Sequence, residues 1–168
     1  MPAAKVIQRL CDTVSKNGNL LLSIPMRGDG TIDSEEEKIL AGITRWMRRN
    51  GDAAIFGSRP WRTYGEGPTK VGGGMFGEGK VAFTAEDVRF TTRKGTLYAA
   101  LMVWPEQPVT IVALGKAALP GAAIERVSLV GGGRVKFQRG EAGLTVTLPR
   151  GGPDDFVPVL RIDGRGLV

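Results

Sequence analysis

The sequence predicts an incomplete α/β unit over residues 1–51, followed by an all-β antiparallel sandwich over residues 81–168. In the first part, two helical patterns with apolar residues every three or four positions flank a near-continuous apolar run. In the second part, apolar residues alternate with polar ones between closely spaced turn residues, which is typical of a β-sandwich. A glycine-rich stretch, residues 52–80, is predicted to connect the two parts.

The α/β unit begins with a predicted helix over residues 3–18. Its apolar stripe consists of Val6, Ile7, Leu10, Cys11 and Val14. Gly18 is predicted to take the left-handed conformation that ends a helix. Residues 19–24 follow as a predicted strand, and their near-continuous apolar character indicates a strand covered on both faces.

A second helix is predicted over residues 34–50. A capping box starts it, formed either by Ser34 with Glu37 or by Asp33 with Glu36. Its expected buried face consists of Ile39, Leu40, Ile43, Trp46 and Met47. One strand with two helices cannot form a sheet, so we expect this unit to be the end of a larger α/β domain.

The second part contains seven predicted strands, over residues 88–92, 96–104, 109–114, 124–130, 134–138, 144–148 and 157–162. Glycine-rich turns separate them, as expected for antiparallel neighbours. The length of this part suffices for a core of its own.

Composition excludes several functions. The chain has no histidine and one cysteine, so it cannot form a Ser-His-Asp or Cys-His site, and no metal site or cofactor is predicted. The net charge is +6, but the basic residues are scattered, so we expect no nucleic-acid partner. No apolar run is long enough for a membrane span, and the start of the chain shows no secretory signal.

Three runs carry a resemblance to a known family: VSKNGNLLLSIPMRGDGTID at residues 14–33, RNGDAAIFGSRPWRTYGEGPT at 49–69 and FTAEDVRFTTRKGTLYAALMVWPE at 83–106. In order and spacing they resemble the C-terminal third of the α-L-fucosidases of glycoside hydrolase family 29. The resemblance implies that residues 3–50 are the last helix-strand-helix of a (β/α)8-like catalytic barrel. It also implies that the β-sandwich is the C-terminal domain.

The resemblance implies a retaining glycosidase mechanism in the intact parent. A carboxylate attacks the anomeric carbon of fucose, and a second carboxyl group acts as acid and then as base. In this family the nucleophile and the fucose-binding histidines precede the region that this chain resembles. No catalytic residue is therefore assigned to this chain, which is expected to be inactive alone. Parents of this type are often secreted, periplasmic or lysosomal.

Three residues are candidates for substrate binding in the intact parent. Barrel enzymes act at the carboxyl ends of their strands, and Ser23 and Arg27 lie at the carboxyl end of the predicted strand and in the loop that follows it. That strand-end loop either lines the rim of the fucose pocket or only packs on the barrel rim. Trp61, in the SRPW run, either stacks on a sugar or anchors an interface between domains.

Three expectations about partners follow, the second an alternative to the first. The substrate is a fucosylated glycan, bound through the missing part of the barrel. As an alternative, the sandwich is an independent module that binds a glycan or a protein. The uncovered strand at residues 19–24 is also expected to cause self-association, because exposed strand edges and apolar faces pair with other chains.

Overall fold

The computed structural model describes residues 1–71, 81–151 and 156–168. It contains two α-helices, α1 (Ala3–Ser15) and α2 (Ser34–Asn50), followed by a π-helical turn at Gly51–Ile55. Eight strands lie in the described ranges: β1 (Arg59–Glu66), β2 (Val88–Arg93), β3 (Thr96–Leu101), β4 (Val109–Ile111), β5 (Ala123–Leu129), β6 (Lys136–Arg139), β7 (Leu144–Thr147) and β8 (Val159–Arg165). In these ranges neither helix is long and apolar enough to cross a membrane.

The strands form two sheets. One has the order β1-β2-β3-β8-β5 and the other the order β4-β7-β6, and all of the neighbouring strands are antiparallel. The predicted fold class, an α/β remnant followed by an antiparallel sandwich, is confirmed. The strand predicted at residues 157–162 begins at Val159, because Val157 has a φ of 50°, outside the β region.

The five-stranded sheet is covered on both faces, as the alternation along β3 shows. Leu97, Ala99 and Leu101 belong to the core between the two sheets. Tyr98 and Ala100 belong to a second apolar cluster, which packs the sheet against the helices. Successive strand residues point to opposite faces, so one fully apolar strand serves two cores. The molecule is therefore layered as helices, five-stranded sheet and three-stranded sheet.

Helix α1 ends in a Schellman motif. The Asn17 N–H donates to Val14 O at 3.0 Å, and the Gly18 N–H donates to Thr13 O at 2.9 Å. The left-handed residue is Asn17, with a φ of 65°, so the prediction that Gly18 takes this conformation is wrong. Asparagine adopts the left-handed region more readily than most residues, because its short polar side chain can form hydrogen bonds with the nearby backbone.

Helix α2 begins after Asp33, the first residue of the second predicted capping box, but the structure shows no return bond from the Glu36 side chain. Asp33 is the N-cap, and its Oδ1 accepts hydrogen bonds from the backbone N–H groups of Glu35 at 3.0 Å and Glu36 at 2.9 Å. A carboxylate at this position accepts hydrogen bonds from N–H groups that have no partner within the helix. Its negative charge also interacts favourably with the positive end of the helix dipole.

Residues 19–24 do not form the predicted strand. In the described part of the chain this segment has no ladder partner, and Leu21 is 94 % exposed. A strand exists only where a neighbouring strand accepts and donates its backbone hydrogen bonds, and no strand of the described residues lies beside this segment. Leu22 and Ile24 instead border a small cavity of about 150 Å³ against α2.

The predicted connection over residues 52–80 contains a strand of the sandwich. β1 pairs with β2, with Arg59 opposite Thr92 and Glu66 opposite Val88. The sheet therefore begins at Arg59, well before the expected start at residue 81. The register of the β1–β2 pair shifts between Pro60 and Gly65. Because of this irregularity, a two-residue period of apolar side chains does not predict the strand. Residues 72–80 lie outside the described residues.

Candidate functional site

Ser23 and Arg27 lie in the exposed segment between the helices. Ser23 borders the small cavity against α2. The backbone of Arg27 closes a turn: its N–H donates to Thr31 O at 2.8 Å, and its carbonyl accepts from the Gly30 N–H at 2.9 Å. Asp29 Oδ1 accepts from both the N–H and the hydroxyl of Thr31, and these bonds lower the pKa of Asp29. The Arg27 side chain is thus exposed on a hydrogen-bonded turn.

Trp61 belongs to the sandwich core. It is 8 % exposed, its Nε1 donates to Leu167 O at 2.6 Å, and its ring meets Phe90 edge-on with centroids 4.9 Å apart. A ring buried in this way has no face for a sugar. The structure therefore does not bring Trp61 together with Ser23 and Arg27, and Trp61 acts as an anchor inside the sandwich.

The helices are fixed to the sandwich through a polar junction that the sequence analysis missed. Arg89 Nε on β2 donates to Asp12 Oδ1 on α1 at 2.6 Å, and the Arg89 guanidinium lies 5.4 Å from the Tyr64 ring centroid. Lys16 completes the cluster with a 2.7 Å contact to Asp12 Oδ2. Sequence offered one signal, a charged residue inside a buried strand, but no indication of its partner.

Two side chains add hydrogen bonds across the same junction. Gln8 Nε2 on α1 donates to Met102 O at 2.7 Å, and Trp46 Nε1 on α2 donates to Val157 O at 2.9 Å. Both donors are buried, so each bond satisfies a group that burial would otherwise leave without a partner. The helical part and the sandwich are therefore joined by directional contacts as well as by apolar packing.

Two carboxylates in the described part of the chain accept hydrogen bonds from other segments of the protein. Glu66 accepts hydrogen bonds from the N–H groups of Val112 at 2.6 Å and Ala113 at 2.7 Å. Asp87 accepts bonds from the N–H and hydroxyl groups of both Thr69 and Thr84. Such carboxylates hold loops together and are not free to act on a substrate.

The pKa shifts point away from acid catalysis by these groups. Burial raises the pKa of Asp87 and Asp163, but hydrogen bonds outweigh it, so both values lie below the ordinary aspartate pKa. Hydrogen bonds also lower the pKa of Asp29 and Asp33. A glycosidase general acid needs the opposite, a raised pKa that keeps its proton near neutral pH. In the described ranges, no group of three acidic, cysteine or histidine side chains is placed to hold a metal ion.

Two family models match the chain. The α-L-fucosidase model matches residues 1–52, and the model of the α-L-fucosidase C-terminal domain matches residues 82–163. Both helices thus lie in the first match, and strands β2 to β7 and most of β8 lie in the second.

Curated relatives point to the same family. Tissue α-L-fucosidase of Mus musculus is 32% identical over 105 residues, which are 62% of this chain and 20% of that protein. Plasma α-L-fucosidase of Homo sapiens is 29% identical over 150 residues, or 87% of this chain and 28% of the relative. The chain therefore spans about a fifth to under a third of the length of these relatives.

Solved structures share the whole fold. An α-fucosidase of Thermotoga maritima superimposes with a TM-score of 0.68 at 25% identity, covering 97% of this chain and 35% of that one. The same protein in complex with fucose gives a TM-score of 0.68 at 26% identity, covering 97% and 35% of the two chains. Together with the two family models, these likenesses show that the chain belongs to the α-L-fucosidases of glycoside hydrolase family 29, as a C-terminal part of such a protein.

Proposed function

We propose that this chain is the scaffold end of an α-L-fucosidase and has no fucosidase activity by itself. In the intact parent, the barrel removes terminal α-L-fucosyl residues from glycans with retention of configuration. The proposed substrate class is supported by the Thermotoga maritima relative, whose structure contains fucose.

One observation carries this proposal: the helical remnant is fixed to the sandwich, yet the segment between its helices is left uncovered. Ion-paired Asp12 and Arg89 hold α1 on the sheet. Leu21 and Met26, at 94 % and 70 % exposed, have no apolar cover in the described structure. Neighbouring strands of a barrel sheet would supply both the missing hydrogen bonds and the missing apolar contacts.

Inactivity is expected because the chemistry needs two free carboxyl groups. In a retaining glycosidase they lie about 5–5.5 Å apart, one as nucleophile and one as acid and base. Among the described residues the buried carboxylates, Asp12 and Asp87, are engaged by an ion pair with Arg89 and by hydrogen bonds from Thr69 and Thr84. We therefore expect the barrel of the parent to supply the reacting groups.

Ser23 and Arg27 are proposed to line the rim of the fucose pocket in the intact parent. Ser23 lies at the carboxyl end of the segment that corresponds to the last barrel strand and Arg27 lies just after it, where barrel enzymes place their sites. The test is substitution of the equivalent residues in a full-length relative. A raised KM for a fucoside is expected, and an unchanged KM would remove these residues from the site.

The deciding experiment is an assay of the purified chain with a nitrophenyl α-L-fucoside. A full-length relative, such as the Thermotoga maritima enzyme, serves as the positive control. We expect no nitrophenol release above the buffer rate from the chain. Release proportional to chain concentration would overturn the proposal, provided that substituting a carboxylate of this chain abolishes it.

A further inference from the structure

A groove opens where the chain leaves β3 and turns towards β4. Its volume is about 840 Å³, and its lining includes Glu86, Trp104, Glu106, Gln107, Pro108 and Thr110. The volume falls in the range of about 300–1,000 Å³ that is usual for small-molecule sites. The lining is largely apolar, with aliphatic side chains and prolines around the Trp104 ring, and it also carries uncharged and acidic polar side chains.

The indole of Trp104 is held in place at one side of this groove. Its Nε1 donates to Pro149 O at 3.0 Å. A Cβ built on Gly151 would lie 2.7–2.8 Å from three atoms of the ring, and these near-equal distances place the Gly151 backbone over one ring face. Trp104 nevertheless stays partly exposed and lines the groove. The ring is therefore a fixed platform, and binding against it costs little side-chain entropy.

Two polar side chains beside the ring have no hydrogen-bond partner among the described residues. Glu106 and Gln107 are exposed, and neither side chain makes a hydrogen bond within the described structure. Pro105 and Pro108 bracket them and restrict the backbone of the loop. A carboxylate accepts hydrogen bonds, whereas an amide both donates and accepts, so the pair matches adjacent hydroxyl groups.

We propose that this groove binds a neutral oligosaccharide, with the Trp104 ring against the apolar C–H face of a pyranose. Glu106 and Gln107 then bind its hydroxyl groups. An aromatic ring beside planar polar side chains can bind a ligand whose faces are apolar and whose edge carries polar groups. Carboxylates in the lining, including Glu86, disfavour anionic sugars. This site lies in the sandwich and does not depend on the proposed function in catalysis.

The test uses the three tryptophan indole N–H signals of the chain in a ¹⁵N-correlated NMR spectrum. Trp46 and Trp61 are buried and hydrogen-bonded, so they act as internal controls, and Trp104→Phe identifies the third signal. The probe is lacto-N-tetraose, a neutral tetrasaccharide without fucose, so fucosidase activity cannot affect the result. We expect only the Trp104 signal to move, saturably, with a dissociation constant in the millimolar range.

Variants test the lining. Trp104→Ala and the double variant Glu106→Ala with Gln107→Ala are each expected to weaken binding about tenfold by calorimetry, equivalent to about 1.4 kcal/mol. The double variant keeps the ring and its bond to Pro149, so it remains informative if Trp104→Ala unfolds. Phe56→Ala, at an aromatic residue that is 56 % exposed, is the matched control and should bind like the original chain.

Several results would overturn the proposal. One is an unmoved Trp104 signal at millimolar tetrasaccharide, and another is native affinity in the double variant. Tighter binding of a sialylated than of a neutral oligosaccharide would contradict the predicted preference. A basic peptide that shifts the Trp104 signal when the tetrasaccharide does not would assign the groove to a protein partner instead.

Discussion

Arg89 Nε lies 2.6 Å from Asp12 Oδ1, and this ion pair joins the first helix to the second strand across the junction of the molecule. The Arg89 side chain is 3 % exposed and that of Asp12 is 11 % exposed. Arg89 Nη1 also donates to backbone carbonyls, at 3.0 Å to Val88 O and 3.3 Å to Glu66 O. A buried charge with all of these partners is compatible with a stable core, whereas one that has lost its counter-ion is not.

Asp12→Ala is expected to lower the free energy of unfolding by about 3–5 kcal/mol, because it leaves the buried Arg89 charge without its counter-ion. Urea unfolding followed by far-ultraviolet circular dichroism measures the change. Glu125→Ala is the matched control, since it removes a carboxylate from an exposed pair with Arg165 and should change stability little. Equal effects of the two substitutions would show that the buried pair does not stabilise the junction.

The Cys11 thiol is expected to be unreactive in the folded chain. Burial raises its pKa to about 12, Arg89 lowers it and Asp12 raises it. At pH 8 the thiol therefore stays protonated, and only the thiolate reacts. Ellman's reagent should therefore modify the native chain far more slowly than the urea-unfolded chain. Equal rates would mean that α1 leaves the sheet readily, since Cys11 lies on its packed face.

Asp87→Asn is expected to destabilise the chain by about 1–3 kcal/mol at pH 7, because its new amide group faces donors from Thr69 and Thr84. Burial opposes ionisation of Asp87, but hydrogen bonds from Thr84 and Thr69 outweigh it and hold the pKa below 3.8. This stabilisation is full above the unfolded-state pKa and is lost as pH falls through the folded-state pKa.

The difference in stability between the original chain and Asp87→Asn should therefore shrink as the pH falls below about 3.9. Urea unfolding at a series of pH values measures it. A difference that stays constant down to pH 2 would show that the ionised carboxylate is not what holds these loops.

The uncovered segment is expected to drive self-association. Leu21 and Met26 expose apolar surface, and the backbone around them lacks a ladder partner in the described structure. Light scattering of the purified chain should report oligomers, and substituting both residues with serine should shift the population towards monomer. Val112→Ser, at a residue that is 59 % exposed on the sandwich, is the control and should leave the oligomers in place. A monodisperse monomer for the unsubstituted chain would rule out this prediction.

Sequence periodicity was sufficient for the elements whose pattern is local. The apolar stripe of α1, the N-cap of α2 and the alternation of Val88 and Phe90 with polar residues along β2 all appear within a few residues. The order of the three motif runs was enough to indicate the family, and the two family models bear this out. These features depend on residues that are close together in the sequence, so the sequence alone predicts them.

The tertiary structure decided the features that depend on distant partners. Residues 19–24 have a strand-like composition but form no strand, because the hydrogen bonds of a strand come from another segment. From the sequence, Trp61 was a candidate for stacking on a sugar or anchoring an interface. Its hydrogen bond to Leu167, 106 residues away, places it in the core. The partner of Arg89, 77 residues distant on α1, was equally invisible. Burial and ion pairing are set by the packing of whole layers, and no local pattern specifies which layer a side chain will face.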